Sequence, residues 1–139
     1  ATVTATSPAR MELFERADGV TVINDAFNAN PDSMRAALKT LAAIGRGRPS
    51  ARTVAVLGEM LELGAASREE HDAVGRLVVR LDIHQLVVVG QGAKPIHLGA
   101  CLRSAHMLAS SWTIIAATPY FAIVAARWPC AGNSDGENR

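Results

Sequence analysis

The pattern of apolar and polar positions changes period several times along the chain, and each change marks an element. Residues 11–16, "MELFER", alternate apolar and charged, which predicts a short half-exposed strand. "ADG" follows as a turn, and "VTVIND", 20–25, is β-branched and suits a buried strand. From Pro31 the period becomes helical, with Met34, Ala37, Leu38, Leu41 and Ala42 on one face. Asn30 is a suitable N-cap, Pro31 is tolerated at the first helical position, and Asp32 suits the positive helix end. "GRGRPS", 45–50, ends that helix. "TVAVLG", 53–58, is a second buried strand closing on glycine, followed by the loop "EMLELGAA". Ser67-Arg68-Glu69-Glu70 has the form of a capping box with Ser67 as N-cap. It opens a helix to about Leu81, with Val74, Leu77, Val78 and Leu81 on one face. "QLVVVG", 85–90, is a third buried strand, "QGAKP" a loop, and a further helix starts near Pro95.

Strand and helix in alternation predict an α/β domain with a parallel core sheet built from 20–25, 53–57 and 85–89. Ligands in such sheets sit beyond the carboxyl ends of the strands. The three loops at those ends, "DAFNANPDS", "GEMLELG" and "GQGAKP", are also the most polar and glycine-rich parts of the chain.

After about residue 102 the character changes. Residues 103–139 hold Asp135 and Glu137 as their only acids, and they carry Trp112, Tyr120, Phe121 and Trp128. Met107 to Ala126 contains no charge and has the length of a bilayer span, yet Ser110, Ser111, Thr113, Thr118 and Pro119 interrupt it. The expectation is a domain over 1–102 and an unassigned tail over 103–139, either a buried segment or frame-shifted or foreign sequence.

Of the 139 residues 49% are hydrophobic and 19% charged, so the chain can bury a core. The net charge of +1 gives no reason to expect nucleic acid or a membrane surface as partner. Cys101 and Cys130 stand in no metal-ligand spacing, and a reduced, cytoplasmic setting is the default. A start at Ala1 without a signal sequence is read as a segment cut from a longer chain.

Asp25 ends a buried strand, where a carboxylate can accept from a ribose diol or, more plainly, close an Asx turn. Asn30 has sufficient work as a helix cap, whereas Asn28 has none and is the more informative. The helix start at Pro31–Ser33 could attract phosphate or carboxylate. Glu59 could meet an amine or a metal-bound phosphate, or be a solvated loop residue. Arg10 alone would be a surface arginine. His71 is expected at the surface, and His84, His97 and His106 form no ligand cluster with it. No G-x-x-x-x-G-K-[ST], G-x-G-x-x-G or G-x-S-x-G is present, so the chain lacks its own means of activating ATP.

Taken together, "RMELFER…VTVINDAFNANPDSMRAAL" and "TVAVLGEMLELGAASREEHDAVGR" resemble the C-terminal domain of the Mur ligases, from about Arg10 to Ala100. Among these ligases the resemblance points to those that add D-alanyl-D-alanine to UDP-N-acetylmuramoyl-tripeptide in cytoplasmic peptidoglycan precursor synthesis. It implies a three-layer, Rossmann-like domain, incomplete at its C-terminal end, that closes over a nucleotide held mainly by a central domain with the P-loop. ATP, with magnesium, would activate the substrate carboxylate as an acyl phosphate, which the dipeptide amine then attacks. By the same resemblance Arg10 would reach the ATP phosphates and Asp25 the ribose. Asn28, Asn30 and Ser33 would line the interdomain cleft, Asn28 and Asn30 toward the nucleotide and Ser33 toward the substrate. Glu59 would lie near the dipeptide. No residue of this segment is assigned a catalytic or metal-binding role. Phe27 stands where the family has tyrosine, and the family's late Lys-Gly-Ser-Arg motif is absent. The segment is expected to be inactive alone. The alternatives are a stand-alone nucleotide-binding or interaction module, or a relic of a broken gene.

Overall fold

The computed structural model describes residues 11–48 and 51–102, and the backbone of 114–115 and 124–129. Arg10 lies outside the described residues.

Two short strands open the fold, β1 (Glu12–Glu15) and β2 (Thr21–Asn24), paired antiparallel with Leu13 opposite Ile23. Helix α1 (Pro31–Arg46) follows, then β3 (Ala51–Leu57), a 3₁₀ turn (Gly64–Ala66), α2 (Ser67–Arg80), β4 (Gln85–Val89) and α3 (Lys94–Cys101). Two further strands come from the segment set apart by composition, β5 (Ile114–Ile115) and β6 (Val124–Pro129).

All six strands form one sheet in the order β1-β2-β6-β3-β4-β5. β3, β4 and β5 are parallel neighbours. β6 runs antiparallel to both β2 and β3 and lies between them. The three expected strands therefore do run in one direction, but the first and second are not adjacent. Periodicity gives a strand's existence and its buried face, not its neighbour, and no strand was expected at 124–129.

Alternation along the strands sends Ile23, Ala55, Leu57, Leu86 and Val88 to one face. There they meet Met34, Leu38 and Leu41 of α1, Val74 and Val78 of α2, and Ile96 and Ala100 of α3 in a single core. The described helices thus form one layer on one face of the sheet, so the α/β, Rossmann-like class stands as a partial domain, with two layers rather than the expected three among the described residues. α2 and α3 touch backbone to backbone. A side-chain carbon at Gly75 would strike the Ile96 carbonyl, and one at Gly99 would strike the Asp72 carbonyl. Arg35 of α1 pairs with Glu70 of α2 at 2.6 Å and ties the first two helices together.

The start of α2 differs from the expected capping box. The 3₁₀ turn runs straight into the helix, so Ala66 is the N-cap, with helical backbone and no side-chain hydrogen bond. Ser67 Oγ turns instead toward His71, at 3.4 Å from Nδ1, and Glu70 is taken by Arg35. Among the described residues no helix is long and apolar enough to cross a membrane.

Candidate functional site

The turn from β2 to α1 gathers four of the expected residues. A cleft of about 300 Å³ is lined by Met11, Asp25, Phe27, Asn28, Asn30, Ser33 and Ala36. It opens at the carboxyl end of β2, where ligands meet parallel sheets. Asp25 is only 6% exposed. Its Oδ1 accepts from the Met11 amide at 3.1 Å, and among the described residues its second oxygen has no partner. A buried carboxylate oxygen without a donor is unfavourable unless a ligand supplies one. The turn itself is closed by the neighbouring residue, as Asn24 Oδ1 accepts from the Ala26 amide at 3.3 Å. The Asx-turn work considered for Asp25 is done by Asn24.

Asn30 and Ser33 are engaged with each other. Asn30 Oδ1 accepts from the Asp32 and Ser33 amides at 3.1 and 2.9 Å, and Ser33 Oγ accepts from the Asn30 amide at 3.1 Å. The Ser33 hydroxyl in turn points at the Asn30 carbonyl, 3.1 Å away. The Met34 amide bonds the Asn30 carbonyl, and Pro31 has no N–H. The first turn of α1 therefore has no free amide to offer an anion, which corrects the expectation of phosphate binding at this helix start. What Asn30 can still offer the cleft is its amide nitrogen, and Asn28 is exposed with its whole side chain available.

Glu59 lies elsewhere, on the loop after β3. Its carboxylate rests against Gly92, where a side-chain carbon would occupy the same space. It also lies 3.9 Å from the position a side-chain carbon would take at Gly90. Glu59 is not among the residues that line the Asp25 cleft, which Ser33 borders.

His71, expected at the surface, is fully buried. The Met60 amide donates to its Nε2 at 2.9 Å, so the ring proton sits on Nδ1 and is given to the Ser67 carbonyl at 2.6 Å. The signal was in the helical period. His71, Val74 and Val78 fall on one face, and all three are buried. Met11 and Phe27 were also missed as cleft walls; both are apolar and substantially exposed, at 40% and 56%. Among the described residues no three His, Cys, Asp or Glu side chains group as a metal set.

Residues 9–122 match the family described as Mur ligase, glutamate ligase domain. The chain belongs to this family. It is 54% identical over 112 residues to the UDP-N-acetylmuramoyl-tripeptide–D-alanyl-D-alanine ligase of Mycobacterium tuberculosis, across 76% of this chain and 22% of that relative. The ligase of the same name from Bacillus subtilis is 35% identical over 83 residues, covering 59% of this chain and 17% of the relative. A crystal structure of MurF from Acinetobacter baumannii superposes with a TM-score of 0.61 at 29% identity, over 81% of this chain and 21% of that one. The chain spans about 22% of the length of the mycobacterial relative.

Proposed function

We propose that this chain is the closing domain of an ATP-dependent amide ligase of cytoplasmic peptidoglycan synthesis, one that joins D-alanyl-D-alanine to UDP-N-acetylmuramoyl-tripeptide. The observation that carries the reading is Asp25, a buried carboxylate with one oxygen unpaired among the described residues, lining a cleft at a strand's carboxyl end. Such an oxygen accepts a ribose hydroxyl, and the charge makes that hydrogen bond stronger than a neutral one. Asn28 and the Asn30 amide nitrogen add donors beside it, and Met11 and Phe27 supply apolar walls. Ser33 borders the same cleft, where it holds Asn30 in place. Arg10, one residue before Met11, is the proposed phosphate contact. Glu59, at the carboxyl end of β3, is the proposed contact for the dipeptide amine.

ATP supplies the phosphoryl group that activates the carboxylate. This chain's residues bind and orient the nucleotide; they do not transfer the group. Among the described residues no three His, Cys, Asp or Glu side chains group as a metal set, and magnesium would accompany the nucleotide mainly through the central domain.

Calorimetric titration of the chain with ATP and with 2′,3′-dideoxy-ATP tests the Asp25 contact. ATP is expected to bind more tightly than the dideoxy form, and Asp25→Ala to remove the difference. Equal affinities for both nucleotides in the wild-type chain would refute the diol contact.

A further inference from the structure

Glu59 is a charged residue held between two buried neighbours, Gly58 and Met60, on a loop rather than in a helix or strand. Its backbone is fixed on one side by the hydrogen bond from the Met60 amide to His71, 2.9 Å long and sealed from water. His71 is itself fixed by its Nδ1 proton on the Ser67 carbonyl, so α2 anchors the loop through one side chain. On the other side the carboxylate lies against Gly92, and any larger residue there would displace it. Neither device serves the carboxylate's own bonding, for among the described residues it has no hydrogen-bond or ion-pair partner. It stands at the carboxyl ends of β3 and β4, where a parallel sheet receives ligands.

We propose that His71 and Gly92 are positioning residues that hold the Glu59 carboxylate in one place to take a primary ammonium group. This rests on the reading of Glu59 as the dipeptide-amine contact and adds how the contact is set. A half-buried carboxylate gains most from a charged donor that it meets without rearranging, because no ordering remains to be done at binding.

The test uses the full chain, nitrogen-15-labelled, titrated with D-alanyl-D-alanine and with its N-acetyl derivative, which has no ammonium. The free dipeptide is expected to shift the amides of Met60, Gly90 and Gly92, the acetylated one to leave them, and Glu59→Gln to abolish the response. Gly92→Ala removes the space beside the carboxylate, and the φ of Gly92 lies outside the left-handed region, so alanine fits the backbone. It is expected to weaken binding about tenfold with the melting temperature unchanged. His71→Leu is expected to weaken binding similarly. His71→Gln, whose amide can accept from Met60 and donate to Ser67, is expected to restore it. If His71→Leu does not fold, Gly92→Ala decides alone. Equal affinity in wild type and Gly92→Ala overturns the positioning role while leaving the amine site standing. An equal response to the acetylated dipeptide overturns ammonium recognition. No response from the wild-type chain overturns the Glu59 reading on which the inference rests, and leaves the ATP titration at Asp25 as a separate question.

Discussion

At the scale of single residues, the polar groups that matter are those whose partners are fixed or missing. Asp25 lines the cleft with one oxygen tied to Met11 and, among the described residues, one without a partner. Asp25→Ala removes a charged acceptor, and hydrogen bonds to charged groups contribute about 1.5–3 kcal/mol. The expected loss in ATP affinity is therefore about tenfold or more, read by calorimetry. His71 is the opposite case, with both ring nitrogens satisfied inside the core. His71→Leu would leave the Met60 amide buried without its partner, at about 1–3 kcal/mol. A loss of unfolding free energy of that order is expected, read from a lower denaturant midpoint, and an unchanged midpoint would show that water or another group replaces the ring. Asp25, Asn28, Asn30 and Ser33 were legible together because they share one strand-to-helix turn. The surroundings of Glu59 were not, because Gly90 and Gly92 reach it from a loop more than thirty residues away.

At the scale of elements, local chemistry sets the helix starts and close contact sets the packing. α1 begins where the sequence places it, at Pro31, with Asn30 as cap and Asp32 and Arg35 paired across the first turn. Asn30→Ala is expected to cost about 1 kcal/mol, seen in thermal unfolding. α2 does not begin as its capping-box string implies, because a preceding 3₁₀ turn already supplies the helical backbone. A four-residue motif cannot report what the three residues before it do. The α2–α3 contact depends on Gly75 meeting the Ile96 carbonyl. Gly75→Ala improves helix propensity in isolation yet is expected to destabilise the chain by about 1–3 kcal/mol through overpacking. A gain in melting temperature would contradict that packing.

At the scale of the whole molecule, two strands from the far end of the chain join the sheet, β5 at its edge and β6 inside it. β6 fills the place between β2 and β3 and pairs with both. Fold class, strand direction and the apolar faces could all be read from periodicity, since they depend on neighbours in sequence. Strand order could not, since it depends on residues more than sixty positions apart. A chain ending at Leu102 would leave β2 and β3 unpaired on their facing edges. It is expected to lose cooperative thermal unfolding; a sharp transition like that of the full chain would show that β6 is dispensable.

The chain spans about 22% of the length of its mycobacterial relative and carries no phosphate-cradling loop of its own, so it is expected to release no phosphate alone. The most direct test of the account is to fuse it in place of the matching segment of the Mycobacterium tuberculosis ligase and follow ADP formation. With UDP-N-acetylmuramoyl-tripeptide and D-alanyl-D-alanine, turnover is predicted, and Asp25→Ala in the fusion should lower it chiefly by raising the KM for ATP. A folded fusion that binds the nucleotide-sugar peptide but forms no ADP would contradict the assignment of this chain as a ligase domain.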